Sequence, residues 1–314
     1  MIDIVFLGTP DFAVPSLKAL VENGYRVKAV FTQPDRPKGR GNKLTYSPVK
    51  EYALQKGLTV YQPEKIRLPE PAAVLRALKP DLMVTAAFGQ ILSKENLDSA
   101  RLGCVNVHGS LLPAYRGSSP IQWAVINGEK ETGITTMYTA IGVDCGDMIL
   151  QKKINIGENE TAGELFERMA PLGAEVLLET VRLIEEGKAP RIPQDEKKAT
   201  HFPMLDKKSA AIDFAQEALK IKNLIRGLNP WPVAWTMCGK DVIKVYSATV
   251  LEQKAEAAPG TIVCADEKQG LIVCTGDQLL SLDVIQLPGK KAMEARLYLR
   301  GNSLSDKFLY YEAR

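Results

Sequence analysis

Two histidines, His108 and His201, and five scattered cysteines are all the imidazole and thiol groups in this 314-residue chain. The cysteines stand at 104, 145, 238, 264 and 274, and no two form a C-x-x-C pair. Neither a disulfide framework nor a structural metal site is therefore expected. Net charge is only +3 at pH 7, too little by itself to mark a nucleic-acid partner. That excess lies wholly in residues 207–314, the first 206 being balanced. No apolar run approaches the ~20 residues of a membrane span. Residues 1–8 lack the basic start of a signal peptide and read as a buried strand, so the cytoplasm is the expected compartment. The first strand is followed by Gly8-Thr9-Pro10-Asp11-Phe12-Ala13 rather than G-x-G-x-x-G, and no acid stands where a ribose would need one, which argues against a dinucleotide site. What remains is ordinary globular composition, 45% apolar and 25% charged, in a chain long enough for two domains.

The first half alternates strand and helix signals. Strands are expected at 2–8, 27–33, 58–61, 81–88 and 103–108, with helices at 12–23, capped by Asp11 and stopped by Gly24, and at 47–55. Such alternation predicts an open, mainly parallel, doubly wound α/β sheet covered on both faces. Two more strands, 134–139 and 148–156, flank a Gly-rich turn. A long helix then opens on the capping box Thr161-Ala162-Gly163-Glu164 and closes at Gly187, with Pro171 inside it. Residues 188–206 are rich in Pro, Lys and acids without periodicity and read as a linker. Beyond them come a helix at 215–228 and five short strands at 233–238, 242–250, 260–264, 271–275 and 279–287. Tight turns between short strands predict a small closed or partly open barrel. The organisation is thus an α/β domain over 1–187, a linker over 188–206 and a barrel domain over 207–314.

In an open α/β sheet, ligands lie beyond the carboxyl ends of the strands. The run Cys104-Val105-Asn106-Val107-His108-Gly109-Ser110-Leu111-Leu112-Pro113 ends such a strand, with Asn106 and His108 on one face because side chains i and i+2 point the same way. Asp144 follows in the Gly-flanked turn Ile141-Gly142-Val143-Asp144-Cys145-Gly146-Asp147 and could swing beside the imidazole. Taken alone, Asn-x-His is most simply a buried, hydrogen-bonded histidine at a strand end. Together with the carboxylate, the three residues could orient a carbonyl, move a proton and hold an imidazole in a useful state.

The extended pattern, N-x-H-x-S-L-L-P followed by G-x-D-x-G-D, resembles the folate-dependent formyltransferases. The match continues in Phe31-Thr32-Gln33-Pro34-Asp35-Arg36-Pro37-Lys38-Gly39-Arg40-Gly41, in Asn229-Pro230-Trp231-Pro232 and in Pro288-Gly289-Lys290-Lys291-Ala292-Met293. The first and last of these resemble the tRNA-formylating branch in particular. The resemblance implies a Rossmann-like formyl-folate domain, a linker and an OB-like tRNA-binding barrel. It implies transfer of a formyl group from N10 of 10-formyltetrahydrofolate to the α-amine of methionine on initiator tRNA. Asn106, His108 and Asp144 would be catalytic, the first two donating to the formyl oxygen and Asp144 orienting His108 and shuttling the proton, directly or through water. No metal and no nucleophilic residue is implied, and the chain is expected to act as a monomer in the cytoplasm, away from membranes. Folate is expected against Ser110, Leu111, Leu112 and Pro113, against Phe88, Gly89, Ile91 and Leu92, and against the backbone around Asp144, where apolar walls carry a few backbone donors.

Residues 36–43 hold Arg36, Lys38, Arg40 and Lys43 with two glycines and no acid. Composition alone describes a solvated basic loop. The resemblance makes it the element that meets the acceptor arm of the tRNA, with Arg40 at the matching functional position, and gives Lys207 a second contact with the tRNA. Trp231 and Trp235 could stack on bases but read as core, and His201 as structural. Rival readings keep the same catalytic residues for glycinamide ribonucleotide, for an amino-sugar nucleotide, or for hydrolysis of the formyl-folate. A non-catalytic RNA-binding protein fits the carboxylate-backed imidazole poorly, because phosphates call for cations.

Overall fold

The computed structural model describes residues 2–38, 43–304 and 306–310, with Lys38 and Lys43 described by their backbone alone. The chain divides into two compact units, each assembled from three stretches: Met1–Gly117, Glu131–Asn155 and Phe166–His201 in the first, Ser118–Lys130, Ile156–Leu165 and Phe202–Arg314 in the second. Residues 188–201, read from composition as linker, thus belong to the first unit.

The first unit is built on seven strands: β1 (Asp3–Gly8), β2 (Arg26–Phe31), β3 (Val60–Tyr61), β4 (Leu82–Ala86), β5 (Cys104–His108), β6 (Glu131–Tyr138) and β7 (Met148–Asn155). Their order is β7-β6-β5-β4-β1-β2-β3, parallel from β5 through β3 and antiparallel at the β6 and β7 edge. Because successive side chains alternate across a strand, the largely apolar runs of β1 and β4 bury residues on both faces. Val5, Leu7, Met83 and Cys104 share one core with Leu75 of the helix α3 (Pro69–Leu78). On the other face a Cβ placed on Gly173, in the long helix Ala162–Glu185, would touch Val107, Ile134 and Phe12.

Local signals explain most of the helices. Ser47 accepts from Lys50 N and caps α2 (Pro48–Gln55). Thr161 and Glu164 exchange the reciprocal bonds of a capping box. Asp11, by contrast, does not cap α1 (Val14–Glu22): it opens a 3-10 turn, Asp11–Ala13, that precedes the helix and carries no side-chain cap. The basic stretch forms a two-stranded hairpin, Arg36–Lys38 against Lys43–Thr45.

In the second unit, β8 (Ala234–Cys238), β9 (Asp241–Lys254), β10 (Ile262–Asp266), β11 (Gly270–Cys274) and β12 (Gln278–Gln286) form an antiparallel sheet of order β8-β9-β12-β11-β10. The chain end bonds to both of its edges. Met237 and Tyr310 exchange backbone hydrogen bonds at 2.7 and 3.1 Å, while Ile262 N donates to Lys307 O at 2.9 Å. Ile221 and Ile225 of the helix Ala218–Gly227 enter this unit's core. Gly227 lets that helix approach a second one, Pro120–Ile126, so closely that a Cβ there would press on Ile126. Trp235 is half-buried, its indole N–H donating to Lys207 O at 2.7 Å. Trp231, expected in the core, is 55% exposed: its neighbours Pro232 and Val233 are the residues that turn inward. No helix among the described residues is long and apolar enough to cross a membrane.

Candidate active site

The parallel register of β4 with β5 sets Thr85 opposite Asn106. The Thr85 hydroxyl donates to Asn106 Oδ1 at 2.8 Å, which fixes the amide with its N–H₂ end turned to Asp144. Asn106 Nδ2 then donates to Asp144 Oδ1 over 3.4 Å, a long and weak bond. Two residues on, the buried His108, 6% exposed, donates from Nε2 to Tyr115 O at 2.9 Å, since a carbonyl only accepts. Its Nδ1 lies 3.6 Å from Asp144 Oδ2, and the same oxygen accepts from Gly117 N at 2.9 Å. The three residues singled out from sequence therefore converge at one strand end.

Asp144 reaches that position on a strained turn. Its φ is +50°, in the left-handed region that a side chain with a β-carbon enters at a cost. Two residues later, a Cβ on Gly146 would run into the Tyr138 carbonyl, so the turn closes on β6 only with glycine there.

Both ring nitrogens of His108 thus face protein acceptors, and among the described residues the donor of the cluster left without a partner is the second amide proton of Asn106. Cys104, the other polarisable group on β5, is no nucleophile: burial pushes its thiol up to about 12. Thr85 is the first residue that sequence reasoning missed, because a threonine in an apolar strand looks like any β-branched filler. Thr85→Val keeps the shape and removes the donor, so kcat should fall about five- to tenfold, the worth of one neutral hydrogen bond, without loss of melting temperature. An unchanged kcat would mean that Asn106 holds its orientation unaided.

A second group was equally hidden. Arg116 is 2% exposed, and its Nε donates to Gln194 Oε1 at 2.9 Å while its two terminal nitrogens donate to Glu196 at 3.0 and 2.7 Å. The Arg116 guanidinium holds the Glu196 carboxyl below its ordinary value. Thr200 accepts from Arg116 N with its carbonyl and from Tyr115 N with its hydroxyl. Only the burial of an arginine could have flagged this network, and burial is not visible in the sequence.

The expected folate residues fall into two classes. Ser110 and Leu112 are buried, with the Ser110 hydroxyl turned to Ala114 O at 2.7 Å and Leu112 N donating to the Thr135 hydroxyl at 3.1 Å. Phe88 and Leu92 are buried as well, whereas Leu111 and Pro113 are half-buried and Gly89 and Ile91 are exposed, Ile91 at 72%. Gln33 donates to the carbonyls of Phe88 and Gly89, tying that segment to the base of the basic hairpin. At the same base, burial pushes the Asp35 carboxyl up, and bonds from Lys50 and Gln62 more than offset it, leaving Asp35 below its ordinary value. Arg36 is exposed on the hairpin; Arg40, with Gly39 and Gly41, lies outside the described residues. Lys207 is exposed in the second unit.

The formyl transferase family model matches residues 2–181, and the model described as formyl transferase, C-terminal domain, matches residues 204–303. The chain belongs to the formyl transferase family. Among its formyl transferase relatives, the methionyl-tRNA formyltransferase of Clostridioides difficile is 49% identical over 96% of this chain and 97% of its own length. That of Alkaliphilus oremlandii is 48% identical over the same shares. Solved structures share the fold at lower identity. An N-formyltransferase from Helicobacter canadensis, in complex with folinic acid and dTDP-3-aminofucose, superimposes with a TM-score of 0.66 at 19% identity, over 90% of this chain and 99% of that one. HypX from Aquifex aeolicus, in complex with tetrahydrofolic acid, gives 0.64 at 16% identity, over 99% of this chain and 51% of its own.

Proposed function

We propose that this formyl transferase moves the formyl group of 10-formyltetrahydrofolate onto the α-amine of methionyl initiator tRNA. The observation that carries the reading is the meeting of Asn106, His108 and Asp144 at one strand end, in a chain 49% identical to a methionyl-tRNA formyltransferase. The amine nitrogen attacks the formyl carbon, whose oxygen gathers negative charge. Asn106 Nδ2 donates to that oxygen, the electrostatic device that acyl transfer calls for. Asp144 accepts the proton the amine sheds and returns it to N10 as the C–N10 bond breaks, so no net proton leaves the site. His108 serves the carboxylate, Nδ1 toward Asp144 and Nε2 anchored on Tyr115. The folate is read against the exposed face of Gly89 and Ile91 and the half-buried Leu111 and Pro113, with Ser110, Leu112, Phe88 and Leu92 shaping that wall from behind.

Residues 1–187 are read as the catalytic part and 207–314 as an OB-like barrel for tRNA, supported by the two family matches and by the chain end that bonds to both edges of the second sheet. Arg36, Lys38, Arg40 and Lys43 supply the cations for the acceptor arm, and Lys207 a second contact with the tRNA. Structures of sugar-formylating enzymes share the fold at 19% identity, too distant to set the substrate. The deciding assay supplies labelled 10-formyltetrahydrofolate with charged initiator tRNA, with an amino-sugar nucleotide, or alone, and follows the label; label reaching only water or the sugar overturns the reading. In the same assay Arg40→Ala should cut kcat/KM for the tRNA at least tenfold, since a guanidinium engages phosphates and base edges together, and leave folate affinity unchanged. Wild-type tRNA kinetics at physiological salt would leave the hairpin a solvated surface.

A further inference from the structure

We infer that Gln194 is a positioning residue for the formyl transfer just proposed, holding the Asp144 turn through its backbone. Its Nε2 donates to two carbonyls of that turn, Asp144 O and Gly146 O, both at 2.8 Å. Both amide protons are spent on them, and a primary amide is the side-chain group that supplies two donors and one acceptor from a single plane. Its Oε1 accepts from Arg116 Nε at 2.9 Å, and Arg116 is locked by Glu196. The same short segment, Tyr115 to Gly117, gives His108 its acceptor and Asp144 Oδ2 its donor. One amide therefore ties the turn that carries the carboxylate to the segment that orients both the carboxylate and the imidazole.

The need for such a tie follows from the turn itself. Asp144 sits at φ +50° with Gly142 at +128° two residues before, and Ile141 and Val143 beside it are exposed, so side-chain packing does little to hold this conformation. The Nδ1–Oδ2 separation of 3.6 Å is already beyond a hydrogen bond. A drift of about 1 Å in such a constellation costs about a hundredfold in rate.

The test compares Gln194→Ala with Gln194→Glu in the full chain. Glutamate keeps an acceptor for Arg116 but has no donor for either carbonyl, and it adds a charge beside the turn. Both variants should lose about tenfold to a hundredfold in kcat, with KM for 10-formyltetrahydrofolate within threefold of wild type and the melting temperature nearly unchanged. A merely structural role predicts the opposite split: a lowered melting temperature, with kcat per folded molecule intact. Wild-type kcat in Gln194→Glu would mean that the Arg116 contact alone matters and would overturn the inference, as would full activity in Gln194→Ala. The underlying reading fails separately, if the wild-type chain itself passes no formyl group to charged initiator tRNA.

Discussion

Asp144→Asn should lower kcat about a thousandfold, within the 10²–10⁴ range that a positioned proton-transfer group supplies, while the protein folds and binds folate. The substitution keeps size and shape, so the turn between β6 and β7 is not disturbed by volume. Its effect is chemical. The carboxylate accepts from Gly117 N at 2.9 Å through Oδ2 and from Asn106 Nδ2 at 3.4 Å through Oδ1. An amide has a single acceptor oxygen, so one of those two donors must face an N–H₂ group instead. Whichever way the amide turns, the group proposed to take the amine proton is gone, and the imidazole Nδ1 loses the anion 3.6 Å away. Single-turnover transfer of labelled formyl groups, with folate binding measured in parallel, separates the chemical step from binding. A loss of less than tenfold in a folded protein would take Asp144 out of proton transfer.

Why was this site legible in a bare sequence, and its support not? Asn106 and His108 are two apart on a strand that ends the parallel run, and Asp144 lies on a turn marked by Gly142 and Gly146; period and turn chemistry are local properties, readable without coordinates. The parallel sheet and five strands of the second unit's sheet were legible for the same reason. Thr85 acts across a strand pair, and Gln194 and Glu196 act from nearly eighty residues beyond Arg116. No window along the chain contains such a contact. Residues 188–201 looked like a linker because their hydrogen bonds, such as Arg116 N to Thr200 O, run to a distant segment and leave no periodicity of their own. Trp231 misled in the other direction: a large aromatic between prolines suggests a core, yet packing of Pro232 and Val233 decided which residue turned inward. His108 was expected to share the oxyanion with Asn106, but the Tyr115 carbonyl occupies its Nε2, a backbone partner that residue type cannot announce.

Asn106→Ala should lower kcat about a hundred- to a thousandfold, the cost of removing one oxyanion donor in acyl transfer. The proposed donor is preorganised. Thr85 holds Oδ1 at 2.8 Å, so Nδ2 is turned to Asp144 in the resting protein and does not have to reorganise when charge develops. Truncation leaves little else broken: the Thr85 hydroxyl still has Val105 O at 3.3 Å, and Asp144 still has Gly117 N. Stability should therefore change by less than about 1.5 kcal/mol, the scale of one hydrogen bond, and KM for the folate should move little, because the neutral formyl oxygen gains far less from the donor than the oxyanion does. Asn106→Asp supplies the contrast. It fits the same space, offers no N–H, and brings a carboxylate toward both Asp144 and the developing charge, so it should be no faster than the alanine variant. Turnover near wild type in either folded variant would remove Asn106 from the mechanism and return the search for the donor to the backbone amides around Asp144.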